Sequence, residues 1–98
     1  MSQRIIAIDQ STSSTKALLF DDQCRLLART NVDHQQYYPQ TGWVEHDAEE
    51  IYRNMVEAIH QLVGDEAKTS QHTYSIAITN QRETAVVWNK TTGHPIAN

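Results

Sequence analysis

Two apolar runs, Ile5-Ile6-Ala7-Ile8 and Ala17-Leu18-Leu19-Phe20, flank a polar stretch that runs from Asp9 through Gln10-Ser11-Thr12-Ser13-Ser14-Thr15 to Lys16. This pattern constrains the fold more than any other in the chain. The apolar runs read as two neighbouring strands, and the continuous run of the first places it at the centre of a sheet, buried on both faces. The polar turn needs a separate explanation. Successive backbone N–H groups and hydroxyls in a tight turn can form a concave nest for an anion. Asp9 could hold a hydrated divalent cation, and Lys16 could offer a point charge to phosphate oxygens. Serine and threonine are also ordinary hairpin residues, so spacing alone leaves both readings open.

The remaining elements follow in order. Strands are expected at Arg4–Asp9, Thr15–Asp21 and Cys24–Val32, with Asp21-Asp22-Gln23 as a turn, giving an antiparallel meander. In this reading Cys24 is a small core residue. Residues 34–46 form a polar and aromatic loop around Pro39 and Gly42. Asp47 then reads as a helix N-cap with Glu50 at capping-box spacing, and Ile51, Met55, Ala58, Ile59 and Leu62 recur on one helical face before Gly64 ends the helix. A polar connection over 65–73 leads to a fourth strand, Tyr74–Thr79, and a fifth is expected at Thr84–Trp88 before a turn at Asn89–Gly93. A helical crossover makes strand four parallel to strand one. Asp9 and the run Asn80-Gln81-Arg82-Glu83 then emerge at the same sheet edge, beyond the carboxyl ends of parallel strands, where such sheets bind ligands.

Composition limits the alternatives. The 98 residues allow one domain or part of one, and a net charge of −4 with 39% hydrophobic residues lacks the basic footprint of nucleic-acid or anionic-membrane binding. A single cysteine and an N-terminus without a basic, apolar leader point to the cytoplasm. The five histidines show no metal-ligand spacing and read as solvent or helix-surface residues, while Trp43 and Trp88 read as packing residues.

Three motifs occur in order: Ala7-Ile8-Asp9-Gln10-Ser11-Thr12-Ser13-Ser14-Thr15-Lys16, Gly42-Trp43-Val44-Glu45-His46-Asp47, and Ile78-Thr79-Asn80-Gln81-Arg82-Glu83-Thr84 followed by Val87-Trp88. Together they resemble the N-terminal part of the carbohydrate kinases of the glycerol kinase, xylulokinase and gluconokinase group, the FGGY family. The second and third motifs point to glycerol kinase within it. The resemblance implies an α/β, ribonuclease-H-like (actin/hexokinase-type) mixed sheet, with residues 1–98 forming an incomplete first kinase domain. It implies an ATP- and Mg²⁺-dependent kinase for a small-molecule polyol or sugar. Asp9 would lie near the magnesium; Thr12, Ser13 and Ser14 would line the phosphate loop; Lys16 would approach the nucleotide phosphates. Arg82 and Glu83 would hold polyol hydroxyls, supported by Gln81. The catalytic base is expected downstream, so this chain alone should be inactive.

The chain departs from the glycerol kinase pattern at two site positions: Ser11 stands where Gly is usual, and Lys16 where Arg is usual. If the glycine served a left-handed turn, Ser11 would carry about 1 kcal/mol of strain. A nuclease on this fold would need several carboxylates for two metals, and Thr79-Asn80 with Arg82 near the site suits it poorly. A non-catalytic nucleotide-binding module of the actin-like fold would keep the phosphate loop but has no evident use for Arg82 and Glu83. A truncated lobe would also expose apolar surface and a strand edge, so self-association is expected; a homo-oligomeric full-length protein is left open.

Overall fold

The computed structural model describes residues 3–64 and 72–98. Four strands form one sheet in the order β3-β2-β1-β4. They are β1 (Gln3–Gln10), β2 (Ser14–Phe20), β3 (Leu26–Asp33) and β4 (Thr73–Thr79), with one helix, α1 (Ala48–Val63), between β3 and β4. β1 pairs antiparallel with β2, from Ile5 opposite Phe20 to Gln10 opposite Thr15. It pairs parallel with β4, from Gln3 beside Thr73 to Asp9 beside Thr79. The central position expected for β1 and the parallel crossover are therefore present.

Alternation explains the core. Ile6 and Ile8 of β1 and Ala17 and Leu19 of β2 point to one face, where Ala58, Leu62 and Val63 of α1 close over them. Met55 and Ile59 pack at the margin of this cluster. The Thr30 hydroxyl donates to the Ala58 carbonyl at 2.9 Å, tying β3 to the helix. The helix begins where expected, with the Asp47 side chain accepting from the Glu49 N–H at 2.9 Å. It ends at Gly64, whose φ of 52° suits glycine and whose N–H reaches the His60 carbonyl. The capping box does not close: the Glu50 carboxylate instead accepts from the Gln35 N–H at 3.0 Å, so it anchors the loop before the helix.

Other expectations change. β3 starts two residues later than Cys24 because the turn is longer than its three polar residues suggest. The Asp21 carboxylate accepts from the N–H groups of Gln23 and Arg25 and from Arg25 Nε, and Cys24, at φ 61°, is an exposed turn residue rather than a core one. Thr84–Trp88 is not a strand. Its ladder consists of one bridge, Trp88 to Pro95, and proline has no N–H with which to extend a ladder. The Asn89–Gly93 turn is present, with the Asn89 side chain accepting from the N–H groups of Thr91 and Thr92. β1 is fully buried on one face only; Ile5, on the other, is exposed. Trp43 and Trp88 are also exposed, since no second layer covers them among the described residues. The polar connection expected over 65–73 lies outside the described residues up to 71, and β4 already begins at Thr73.

Candidate functional site

The carboxyl ends of β1 and β4 open into a cleft of about 850 Å³ lined by Asp9–Thr12 and Thr79–Glu83. Two segments far apart in sequence meet here because β1 and β4 are parallel and in register. The pairing places Thr79 beside Asp9, and the Thr79 hydroxyl donates to Asp9 Oδ1 at 3.2 Å. Asp9 is thus oriented by a neighbouring strand while remaining exposed.

The turn after β1 closes on itself. Both the N–H and the hydroxyl of Ser11 donate to the Ser14 carbonyl, at 3.0 and 2.9 Å. Ser11 is not among the described residues with positive φ, so it avoids left-handed strain and adds a bond that glycine could not make. The cleft brings together Asp9, Thr12, Gln81, Arg82 and Glu83 of the residues singled out from the sequence. Ser13, Ser14 and Lys16 do not line it. Ser14 is buried at the start of β2, the Ser13 carbonyl accepts from the His34 N–H at 2.8 Å, and Lys16 stands opposite Asp9 on β2 with its side chain exposed.

On the other wall, Gln81 Nε2 donates to Thr84 Oγ1 at 2.9 Å, and Thr84 Oγ1 donates to the Arg82 carbonyl at 3.2 Å. Two features of this wall are costly in isolation. Gln81 Oε1 is buried without a hydrogen-bond partner, which typically costs about 1–3 kcal/mol. Glu83 holds φ 57°, a left-handed conformation that costs a non-glycine residue roughly 1–2 kcal/mol. Strain concentrated beside a cleft is a mark of a functional position.

The second motif joins the two walls. His46 Nε2 lies 2.8 Å from the Thr12 carbonyl, which can only accept, so that nitrogen carries the proton. Its Nδ1 faces Gln81 Nε2 at 3.5 Å. A second cleft of about 360 Å³ adjoins the first along Thr12 and Gln81–Glu83, with Glu45 and His46 in its lining.

His34 is buried, contrary to a surface reading. Burial first, and His46 nearby, hold its pKa below the ordinary 6.5 against the opposing pull of Glu50, Asp33 and the Ser14 backbone. The signal was present in the sequence: Ala28, Thr30 and Val32 alternate inward along β3, and His34 continues that alternation past the strand end. The motifs give no role to His34 or to Asn54, whose Nδ2 lies 2.8 Å from His34 Nδ1, and none to Gln10 and Thr79, although both stand within the motifs.

Among the described residues no group of three or more His, Cys, Asp or Glu is placed to hold a metal ion. Magnesium needs no such cage, since it keeps several waters and takes one or two carboxylates plus substrate phosphates. Asp9 at the mouth of a polar cleft fits that mode. Arg82, in the cleft lining, fits an anionic or hydroxyl acceptor.

The sequence pattern of the N-terminal domain of the FGGY family of carbohydrate kinases matches residues 4–98. The chain belongs to the FGGY family. Among FGGY relatives, it is 47% identical over 94 residues to glycerol kinase 1 of Thermotoga maritima, covering 96% of this chain and 19% of that protein. It is 47% identical over 98 residues to glycerol kinase of Pseudarthrobacter chlorophenolicus, covering all of this chain and 19% of that protein. A crystal structure of Plasmodium falciparum glycerol kinase with ADP superposes with a TM-score of 0.83 at 36% identity, covering 99% of this chain and 20% of that one. The xylulose kinase of Rhodospirillum rubrum shares the FGGY fold, with a TM-score of 0.80 at 22% identity, covering 95% of this chain and 19% of that one. The chain thus spans about a fifth of the length of the relatives it matches.

Proposed function

We propose that this chain supplies the phosphate-side and polyol-side walls of a kinase that transfers the γ-phosphoryl group of ATP to a hydroxyl of glycerol or a closely similar polyol. The observation that carries this reading is one cleft lined by Asp9, Thr12, Arg82 and Glu83 together, in a chain 47% identical to a glycerol kinase.

Each residue has a distinct task. Arg82 donates to and Glu83 accepts from neighbouring hydroxyls of the polyol, because a diol presents both lone pairs and protons. Gln81, on the same wall, supports this pair through its bond to Thr84, whose hydroxyl donates to the Arg82 carbonyl. Thr12 and the adjoining backbone of the turn stabilise phosphate oxygens from within the cleft. The exposed Ser13 hydroxyl and the Lys16 ammonium, on the strand beside Asp9 and outside the lining, meet the part of the nucleotide that extends beyond it, while Ser14 supports the turn from within. Asp9 would hold the magnesium, with its carboxylate contacted by the Thr79 hydroxyl. When bound, Mg²⁺ would neutralise charge on the transferring phosphate, which together with positioning is the main requirement of phosphoryl transfer. The base that takes the acceptor proton lies outside this chain in our reading, so the 98 residues bind without turning over.

The test is ATP consumption by a full-length kinase carrying this chain, across glycerol, tetritols, pentitols, pentoses and ketoses. Turnover on glycerol or one similar acceptor, lost in Arg82→Ala, is the expected result. Nucleotide binding without acceptor-stimulated turnover would replace this reading with a non-catalytic nucleotide-binding one.

A further inference from the structure

Four side chains link the helix to the cleft. Asn54 Nδ2 on α1 lies 2.8 Å from His34 Nδ1 and 3.1 Å from the Asp33 carbonyl. His34 Nε2 lies 3.1 Å from Thr15 Oγ1, and Thr15 Oγ1 lies 2.7 Å from Gln10 Oε1. Thr15 is 0% and His34 8% exposed, so water does not readily replace these partners, and a mispaired group there would be costly. Gln10, like Asp9, lines the cleft.

Taken pair by pair, such a chain could run either way, since imidazole has two neutral tautomers and carboxamides can turn over. One end decides the direction. The Asp33 carbonyl can only accept, so the Asn54 atom facing it is the NH₂ nitrogen. That same nitrogen faces His34 Nδ1, which must therefore carry no proton. Neutral His34 keeps its proton on Nε2 and donates it to Thr15 Oγ1. The Thr15 hydroxyl then donates to Gln10 Oε1, which turns the Gln10 oxygen inward and leaves its NH₂ for the cleft.

We propose that Gln10 is a ligand-binding residue whose NH₂ donates to a phosphate oxygen of the nucleotide, and that Asn54, His34 and Thr15 are positioning residues that hold it in this orientation. The proposal rests on the kinase reading for the identity of its ligand. An outward-facing amide oxygen would add a second acceptor to the cleft that already holds the Asp9 carboxylate and disfavour an anion; the NH₂ does the reverse. The buried surroundings that keep His34 neutral preserve the unprotonated Nδ1 on which the direction depends.

The test uses the full-length kinase, with calorimetric binding of MgATP and of glycerol and ¹⁵N NMR of the His34 ring, assigned by its loss in His34→Gln. In the wild type, His34 should carry its proton on Nε2. Gln10→Glu should weaken MgATP about tenfold or more, with glycerol affinity changed less than about twofold; the tenfold step is about 1.4 kcal/mol. Asn54→Asp presents an acceptor to His34, which should move the ring proton to Nδ1, reverse the chain and weaken MgATP by about five- to tenfold, on the scale of one misdirected hydrogen bond. Thr15→Val should weaken MgATP similarly, and Thr15→Ser should restore most of that loss. A wild-type proton on Nδ1, or unchanged MgATP affinity in Gln10→Glu, would overturn the proposal. Equal losses for MgATP and glycerol in Thr15→Val would mark a packing role and also overturn it. Failure of every acceptor to stimulate turnover would count against the kinase reading instead, because the tautomer and nucleotide binding are measured without turnover.

Discussion

Ile8 and Ile78 are neighbours in the β1–β4 ladder, are the same residue type and face the same side of the sheet, yet Ile8 is 1% exposed and Ile78 57%. Ile6 and Ile76 repeat the contrast at 2% and 54%. The difference is the helix. α1 packs on β2 and β3, so the cluster beneath it covers Ile6 and Ile8 and leaves Ile76 and Ile78 open, with Tyr74 at the start of β4 half-buried at its margin. Hydrophobic stabilisation follows the area removed from water, so the two members of each pair have the same chemistry and unequal contributions. The covered half of the sheet carries the stability, and the open half carries one wall of the cleft.

Substitutions can break this contrast. The largest effect is expected for Ile8→Ala, which should cost about 2–5 kcal/mol in urea unfolding of the 98-residue chain. Ala58→Leu comes next: overpacking where the helix meets the sheet should cost about 1–3 kcal/mol by the same measurement. The covered half should also be the acid-sensitive one. The Arg25 backbone N–H, followed by that of Gln23 and the Arg25 guanidinium, holds the Asp21 pKa below 3.8 against burial. The unfolded chain therefore protonates first as pH falls, and the stability that Asp21 supplies above pH 3.8 is lost as pH drops through the folded value. Asp21→Asn should flatten that acid limb in a pH series of thermal melts. The smallest effect belongs to Ile78→Ala, at about 0.5 kcal/mol or less in the 98-residue chain. In a full-length kinase the same substitution should cost more if a further layer covers β4. Ile78→Lys sharpens the comparison differently: sedimentation should show the wild-type chain associating through the open β4 face and the variant remaining monomeric.

These contrasts also explain what could be read from the sequence. The four strands, the helix and the parallel pairing followed from apolar runs, the Asp47 and Gly64 caps and the crossover rule, because those depend on local chemistry. The meeting of Asp9 with the Asn80–Glu83 run followed from topology for the same reason. Exposure of Ile76 and Ile78 did not follow, because a strand carries no record of which elements reach its face. Thr84–Trp88 has the composition of a strand, but strand formation needs a partner edge that composition cannot reveal. Cys24 falls in the turn and not in a strand because the reach of the Asp21 carboxylate, not the count of polar residues, sets the length of that turn. Metal-ligand spacing says nothing of His34, whose environment comes from strand alternation and a contact with Asn54.

The parallel pairing of β1 with β4 also has a kinetic consequence. Asp9 meets Lys16 through a short hairpin but meets Thr79 across 70 residues. Closing the longer loop costs roughly 2 kcal/mol more in chain entropy, so the β1–β2–β3 meander should assemble first and the cleft last. A ligand that bridges the two walls can bind only once both are in place. It would then act on a late product of folding, slowing the loss of the native chain without speeding its formation.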